Sequence, residues 1–198
     1  MTRCLILHYG VGNVFSVENA FKRLGFEVEI ASRPRRDTDC AILPGVGSFA
    51  AAAENIAPYR DDLLDLLKTG IPVLGICLGM QVLFESSEEG PGKGLGVFKG
   101  RVVALPDTVK RPHMGWNKIR KTRETEILGD VGEEWVYFNH TYHPSPVDDN
   151  IVLARTRYGV EFPSIVGSGN IYGTQFHPEK SSKTGEKILR NFRRVVRV

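Results

Sequence analysis

A cysteine lies between two glycines in the run Gly75-Ile76-Cys77-Leu78-Gly79, where an apolar stretch gives way to a helical pattern. This spacing is typical of a nucleophile elbow, a sharp strand-to-helix turn that carries a nucleophile at its tip. Glycines two residues before and after the tip leave room where the strand and the helix nearly touch. The helix N-terminus would favour the thiolate form of Cys77, which is the nucleophilic form. The alternative interpretation is a buried cysteine in a core strand.

Two further stretches could complete such a site. Residues 174–180 have the pattern of a strand that delivers His177, with Glu179 two residues on, and the loop Pro44-Gly45-Val46-Gly47 follows another apolar strand. In open α/β sheets, sites form outside the carboxyl ends of the strands. A cysteine nucleophile needs a base, and the base needs an orienting group, so Cys77, His177 and Glu179 together predict thiol-based acyl transfer. Amides of the glycine loop and of the elbow would stabilise the oxyanion. On its own, His177 would be a surface turn before a proline.

The elements that must position these residues alternate along the first half of the chain. The sequence predicts strands at 3–7, 26–30 and 40–43, helices at 16–24 and 60–68, and then the strand of the elbow. This alternation predicts an α/β fold with a doubly wound, mostly parallel sheet. Shorter strand candidates at 101–105, 134–138, 151–154 and 170–173 predict an antiparallel extension of the sheet, and residues 182–196 predict a closing helix.

Composition limits the possible classes of protein. The chain has 198 residues, of which 41% are hydrophobic and 25% charged, so a single domain over residues 1–198 is expected. The net charge of +3 and the lack of a long basic run give a nucleic-acid role little support. Three cysteines without a C-x-x-C pair argue against a disulfide framework or a structural zinc site and favour the cytoplasm. We expect neither a signal peptide nor a membrane association.

Several stretches of the chain resemble one family. The elbow followed by Met80-Gln81, together with Phe176-His177-Pro178-Glu179 and the 44–47 loop, resembles the class I (triad) glutamine amidotransferases. Within that family the resemblance is strongest to the glutaminase subunits of imidazole glycerol phosphate synthases, which serve histidine biosynthesis. Four further stretches carry it: Tyr9-Gly10-Val11-Gly12-Asn13, Pro112-His113-Met114-Gly115-Trp116-Asn117, Phe138-Asn139-His140-Thr141-Tyr142 and His177-Pro178-Glu179-Lys180-Ser181-Ser182. The stretch at 112–117 is the one that singles out the subfamily, and the implied fold is flavodoxin-like.

The resemblance implies roles for named residues. Cys77 would attack the side-chain amide of glutamine, His177 would take the thiol proton and return it to departing ammonia, and Glu179 would hold the imidazole. Backbone amides of Leu78 and Val46 would stabilise the tetrahedral oxyanion. No cofactor and no metal ion is expected. The candidates for the glutamine pocket are Gly47, Gln81, Glu85, His140, Thr141 and Tyr142, with Gln81 and Glu85 one and two helical turns beyond the nucleophile. A satisfied structural histidine is the alternative for His140.

The resemblance also implies a partner. A cyclase subunit with a (β/α)8-barrel fold would form a heterodimer with this chain and receive ammonia through its core. It would make imidazole glycerol phosphate and aminoimidazole carboxamide ribotide. We expect the interface at Met114, Trp116, Tyr137 and Lys180, since aromatic residues are enriched at interface anchors. The alternative for Trp116 is an ordinary core position.

Three other interpretations compete with this one. The first is another amidotransferase subunit, serving anthranilate, aminobenzoate or pyridoxal phosphate synthesis, which would lack the 112–117 stretch. The second is a cysteine-elbow protein with a redox or chaperone role, which would need no Glu179. The third is a pseudoenzyme that only scaffolds its partner, against which the intact triad argues. Two residues also depart from the family pattern: His8 replaces an acidic residue before Tyr-Gly, and Asn139 replaces an apolar residue before His-Thr-Tyr.

Overall fold

The computed structural model describes residues 2–196 of the chain. Its strands are β1 (Thr2–Leu7), β2 (Phe26–Ala31), β3 (Cys40–Leu43), β4 (Val73–Ile76), β5 (Ser86–Ser87), β6 (Gly100–Ala104), β7 (His113–Lys121), β8 (Glu134–His140), β9 (Tyr142–Pro146), β10 (Val152–Tyr158), β11 (Val160–Ser168) and β12 (Ile171–Thr174). Its α-helices are α1 (Val14–Arg23), α2 (Phe49–Ile56), α3 (Arg60–Lys68), α4 (Leu78–Gln81) and α5 (Ser182–Val196).

A nine-stranded sheet runs through the molecule in the order β2-β1-β3-β4-β12-β11-β10-β7-β8. The strands from β2 to β12 pair in parallel, and those from β12 to β8 pair antiparallel. A separate three-stranded sheet has the order β5-β6-β9. The predicted fold class, a parallel doubly wound sheet with an antiparallel extension, is therefore confirmed.

The helices cover both faces of the sheet because strand side chains alternate between the two faces. In β1, Cys4 and Ile6 join one core cluster, which packs against α1 and α5. Leu5 and Leu7 join a second cluster, which packs against α2 and α3. Burial on both faces explains why β1 is a continuous apolar run rather than an alternating one.

Local capping explains some differences from the predicted elements. Helix α1 begins two residues before the predicted start, since Asn13 is the N-cap and its side chain accepts a hydrogen bond from the Ser16 amide at 3.3 Å. Helix α2 was not predicted, although Ser48 caps it in the same way. The helical pattern after the elbow was expected to reach Glu85, but α4 ends at Gln81. Across residues 2–196, no helix is both long and apolar enough to cross a membrane.

Candidate active site

Cys77 stands at the tip of the turn between β4 and α4. Its backbone has φ 54° and ψ −107°, a left-handed conformation that non-glycine residues rarely adopt. The tip is held by the Cys77 amide, which donates to the Thr174 carbonyl at 2.7 Å. Cys77 thus follows the strand, and the core-strand alternative is wrong.

The two glycines of the elbow are required by close backbone approach. A Cβ on Gly75 would lie 2.5 Å from the Gly79 carbonyl oxygen, so the strand and the helix touch as the spacing predicts. A Cβ on Gly79 would lie only 1.7 Å from the carbonyl oxygen of Leu43, at the end of the neighbouring strand β3. The second glycine therefore docks the elbow against the sheet, which the local motif alone did not reveal.

The structure brings His177 and Glu179 to the carboxyl end of β12, which neighbours β4. His177 Nδ1 donates to Glu179 Oε1 at 2.8 Å, and both side chains are at most 3% exposed. Burial lowers the pKa of His177, but adjacent Cys77 and Glu179 outweigh it and raise the pKa to about 10. Among residues 2–196, Nε2 of the ring has no hydrogen-bond partner. Cys77 is near enough to raise the pKa of the ring but lies outside hydrogen-bond geometry. Such bonds often tighten only when substrate is present.

Gln175 is a site residue that the sequence did not single out. Its Nε2 donates to Cys77 Sγ at 3.7 Å, and its Oε1 accepts from Gln81 Nε2 at 3.2 Å. The side chain is fully buried. Gln175 therefore contacts both Cys77 and a residue of the cavity lining. The signal was its place on the strand that delivers His177, two residues earlier.

A cavity of about 200 Å³ opens over Cys77. Its lining contains every predicted pocket and oxyanion residue except Glu85, and adds Glu89 and Asn139: Val46, Gly47, Cys77, Leu78, Gln81, Glu89, Asn139, His140, Thr141 and Tyr142. A larger cleft of about 720 Å³ lies at the opposite end of the strands, beside Thr2 and Asp39, and is lined by neither cysteine nor histidine. Chemistry rather than volume therefore identifies the site.

The prediction for Glu85 is wrong. Because α4 stops after one turn, the second-turn position does not face the cavity. Instead the Glu85 carboxylate binds Lys99 Nζ at 3.0 Å and the Gly100 amide at 2.9 Å on the surface. The carboxylate in the cavity belongs to Glu89, whose Oε2 accepts from the Phe49 amide at 2.7 Å, at the start of α2. Only its place in an acidic loop after the elbow could have pointed to it.

His140 lines the cavity, but both of its ring nitrogens are engaged inside the protein. Nδ1 is 2.9 Å from the Tyr142 carbonyl oxygen, and Nε2 is 3.1 Å from His113 Nδ1. The ring therefore has no nitrogen left for a substrate hydrogen bond. Of the two departures from the family pattern, Asn139 lines the cavity while the His8 side chain is exposed.

The two predicted oxyanion donors are not aimed at the nucleophile. The Leu78 amide donates to the Gly45 carbonyl at 3.4 Å. Since the C=O and N–H of a trans peptide point in opposite directions, the Val46 amide faces away from the elbow. A Cβ on Gly45 would lie 2.7 Å from the Leu78 Cβ, so glycine is what allows this close approach. The oxyanion hole is not formed in this conformation.

Three of the four predicted interface residues, Met114, Trp116 and Tyr137, lie on the outer face of the paired strands β7 and β8. Met114 is 62% exposed and Trp116 50% exposed, so the core alternative for Trp116 is wrong. Tyr137 lies opposite Trp116 in the register, with ring centroids 6.2 Å apart in an edge-to-face arrangement. Lys180 is exposed in the turn after His177. Trp135, also exposed, extends the same face and was not predicted.

Fold and site together define the class of protein. A solved glutamine amidotransferase structure from Thermotoga maritima superposes with a TM-score of 0.74 at 15% identity and covers 100% of this chain and 99% of its own, which shows the shared fold. The profile of the family Glutamine amidotransferase class-I matches residues 5–195. The chain therefore belongs to the class-I glutamine amidotransferase family.

Two relatives within that family are each named imidazole glycerol phosphate synthase subunit HisH. The subunit from Methanopyrus kandleri is 50% identical over 191 residues, covering 93% of this chain and 94% of its own length. The subunit from Sulfolobus acidocaldarius is 44% identical over 197 residues, covering 98% and 99%.

Proposed function

We propose that this chain is the glutaminase subunit of an imidazole glycerol phosphate synthase in histidine biosynthesis, and that it hydrolyses glutamine to glutamate and ammonia. The observation that carries the proposal is the meeting of Cys77 with the His177–Glu179 pair at the ends of adjacent strands. It occurs in a chain that is 50% identical to a HisH subunit.

The proposed chemistry passes through a thioester. His177 Nε2 takes the thiol proton of Cys77, Sγ forms a bond to the side-chain amide carbon of glutamine, and the C=O electron pair moves onto oxygen. His177 gives its proton to the nitrogen, so the C–N bond breaks and ammonia leaves. Water then attacks the thioester while its proton passes to His177, and glutamate departs as the C–S bond breaks. Glu179 keeps the imidazole oriented through Nδ1 and stabilises the imidazolium form.

The cavity lining supports a specific binding mode for glutamine. Glu89 is the one carboxylate among the described lining residues, so it would pair with the α-ammonium group. Gln81 uses Nε2 for the Tyr142 carbonyl at 2.9 Å, which leaves its Oε1 for the substrate. Gly47 and Thr141 form part of the remaining wall.

The orientation of the Gly45–Val46 peptide supports control by a partner. Turning this peptide would release the Leu78 amide and aim the Val46 amide at the oxyanion. One oxyanion donor is worth about 10²–10³ in turnover. A partner that binds the turned conformation better would shift the population toward it.

Steady-state glutaminase activity tests this control in three conditions. The chain alone should be slow, the chain with the bare cyclase should remain slow, and the chain with the cyclase and its nucleotide ligand should be fast. Equal turnover in all three would mean that the oxyanion hole is already functional in the isolated chain.

The proposed partner is a cyclase with a (β/α)8-barrel fold, bound as a heterodimer over the mouth of the site. The name of the relatives, a subunit of a synthase, supports a partner subunit. The exposed Met114 and Trp116 support its position, together with Tyr137 and Lys180. A synthase that consumes ammonia needs such a cover because free ammonia would escape. We further propose one domain and a cytoplasmic location, which three free cysteines support.

Glutamate release by the Cys77→Ala variant, measured with the loaded cyclase, tests the nucleophile. Activity should vanish while the thermal unfolding temperature stays near that of the wild type. Cys40→Ala is the matched control, since Cys40 is buried in β3 outside the cavity and should keep its activity. Wild-type glutamate release by Cys77→Ala would remove Cys77 as the nucleophile.

A further inference from the structure

A chain of hydrogen bonds runs beneath the glutamine cavity and is not used by the hydrolysis chemistry. Asn117 Nδ2 lies 3.3 Å from His113 Nε2, His113 Nδ1 lies 3.1 Å from His140 Nε2, and His140 Nδ1 lies 2.9 Å from the Tyr142 carbonyl oxygen. His113 and His140 are only 3% and 5% exposed. We call Asn117, His113, His140 and the Tyr142 carbonyl the histidine chain.

The direction of the histidine chain follows from its two ends. The Tyr142 carbonyl can only accept, so His140 carries its proton on Nδ1 and accepts on Nε2 when neutral. His113 must then donate from Nδ1, and its Nε2 accepts from the Asn117 amide. Burial lowers the pKa of His113 to about 4 and, with the neighbouring His113 ring adding to it, the pKa of His140 to about 3. Both rings are therefore neutral, as this pattern requires.

The Tyr142 end of the histidine chain holds the wall of the cavity in place. The Tyr142 carbonyl accepts a second hydrogen bond, from Gln81 Nε2 at 2.9 Å. The Asn139 carbonyl, next to His140, accepts from Cys77 Sγ at 3.8 Å. Fixing the His140 ring therefore fixes residues 139–142, which contact both Cys77 and Gln81.

The Asn117 end of the histidine chain lies on β7, the strand that carries Met114 and Trp116 of the proposed partner interface. His113 is buried and Asn117 half-buried in β7, while Met114 and Trp116 between them are exposed. Asn117 is anchored in turn, because its Nδ2 also donates to the Arg157 carbonyl at 3.1 Å. The strand is thus tied to the cavity by side chains on its inner side.

We infer that His113 and Asn117 are positioning residues for the glutaminase site, acting through His140 to hold the 139–142 wall beside Cys77 and Gln81. The inference rests on the proposed function for its kinetic consequence. Misplacing a reacting group by about 1 Å can cost 10²-fold in rate. Loss of the histidine chain should therefore lower kcat/KM for glutamine by about 10- to 100-fold, with the decrease divided between a higher KM and a lower kcat.

His113→Phe is the sharpest test in the complex with the loaded cyclase. Phenylalanine keeps a ring between Phe138 and Tyr158, whose centroids lie 4.7 Å and 4.0 Å from the His113 ring, but it has no donor or acceptor. His143→Phe is the matched control: His143 is also buried, its one side-chain hydrogen bond within residues 2–196 is to the Pro144 carbonyl, and it does not belong to the histidine chain. It should keep kcat/KM within about twofold. Wild-type kcat/KM in His113→Phe would overturn the inference.

Two measurements keep the inference testable if His113→Phe does not fold. Asn117→Leu removes the half-buried amide that starts the chain, and should also lower kcat/KM. Nitrogen-15 NMR of the wild-type chain should show coupling across the N–H···N bond between His113 and His140, with both protons on Nδ1. Protons on Nε2, or no such coupling, would overturn the inference even if the protein had no glutaminase activity.

Discussion

The pKa of His177 should depend on the charge of Cys77. The ring is buried, which alone would lower its pKa, yet adjacent Cys77 and Glu179 raise the pKa to about 10 from a reference value of 6.5. Replacing Cys77 with alanine removes this negative neighbour and leaves the bond to Glu179 intact.

The size of the effect follows from the burial of the pair. An opposite charge within about 4–6 Å shifts a pKa by about 1–3 units, so the pKa of His177 should fall by that amount in Cys77→Ala. Each unit corresponds to about 1.4 kcal/mol, so Cys77 contributes about 1–4 kcal/mol to holding the imidazolium. Since the folded pKa is above the unfolded one, this stabilisation is full below pH 6.5 and is lost as the pH rises through about 10.

A nitrogen-15 NMR titration of the imidazole between pH 5 and pH 11 measures this directly. The wild type should titrate near pH 10 and Cys77→Ala at a lower pH. Cys40→Ala removes a buried cysteine from β3 and should leave the titration unchanged. A wild-type pKa near 6.5, or equal values in the wild type and Cys77→Ala, would refute a thiolate–imidazolium pair.

Three other changes should have separable effects. Gly79→Ala should destabilise the fold by about 3 kcal/mol or more in urea unfolding, because its Cβ would overlap backbone, whereas Gly132→Ala, with open space around it, should be nearly neutral. Glu89→Gln should raise KM for glutamine about 10-fold or more by removing a charged hydrogen bond, and Glu85→Gln should leave KM unchanged. Trp116→Ala should weaken binding of the cyclase by about 2 kcal/mol in a calorimetric titration, as for an aromatic interface anchor. An unchanged affinity would place the interface elsewhere.

The parts of the site that sequence could predict are those with a local physical cause. The elbow follows from two glycines at fixed spacing, and both are explained by backbone contacts in the structure. His177 and Glu179 sit two residues apart in one turn, so their pairing needs no long-range information. The parallel half of the sheet follows from alternating strand and helix patterns in the same way.

The parts that sequence missed depend on where elements end and how loops return. Glu85 was expected in the pocket because a continued helix would face it there, but α4 ends at Gln81 and the chain turns. Glu89 then enters the cavity from the following loop, where no periodicity applies. Strand β7 was not predicted, since Gly115 at φ 131° interrupts any simple strand pattern.

The site has its proposed nucleophile in place but lacks a formed oxyanion hole, and the difference lies in the orientation of the Gly45–Val46 peptide. The pairing of His177 with Glu179 holds a base beside Cys77, which suffices for attack on a small alkylating reagent. Hydrolysis of an amide also needs hydrogen-bond donors that stabilise the oxyanion. In this structure the Leu78 amide donates to the Gly45 carbonyl instead. Both orientations of the Gly45–Val46 peptide are open to the same sequence because glycine permits either. The nucleophile can therefore be built into the fold, while turnover is left to whatever selects the second orientation.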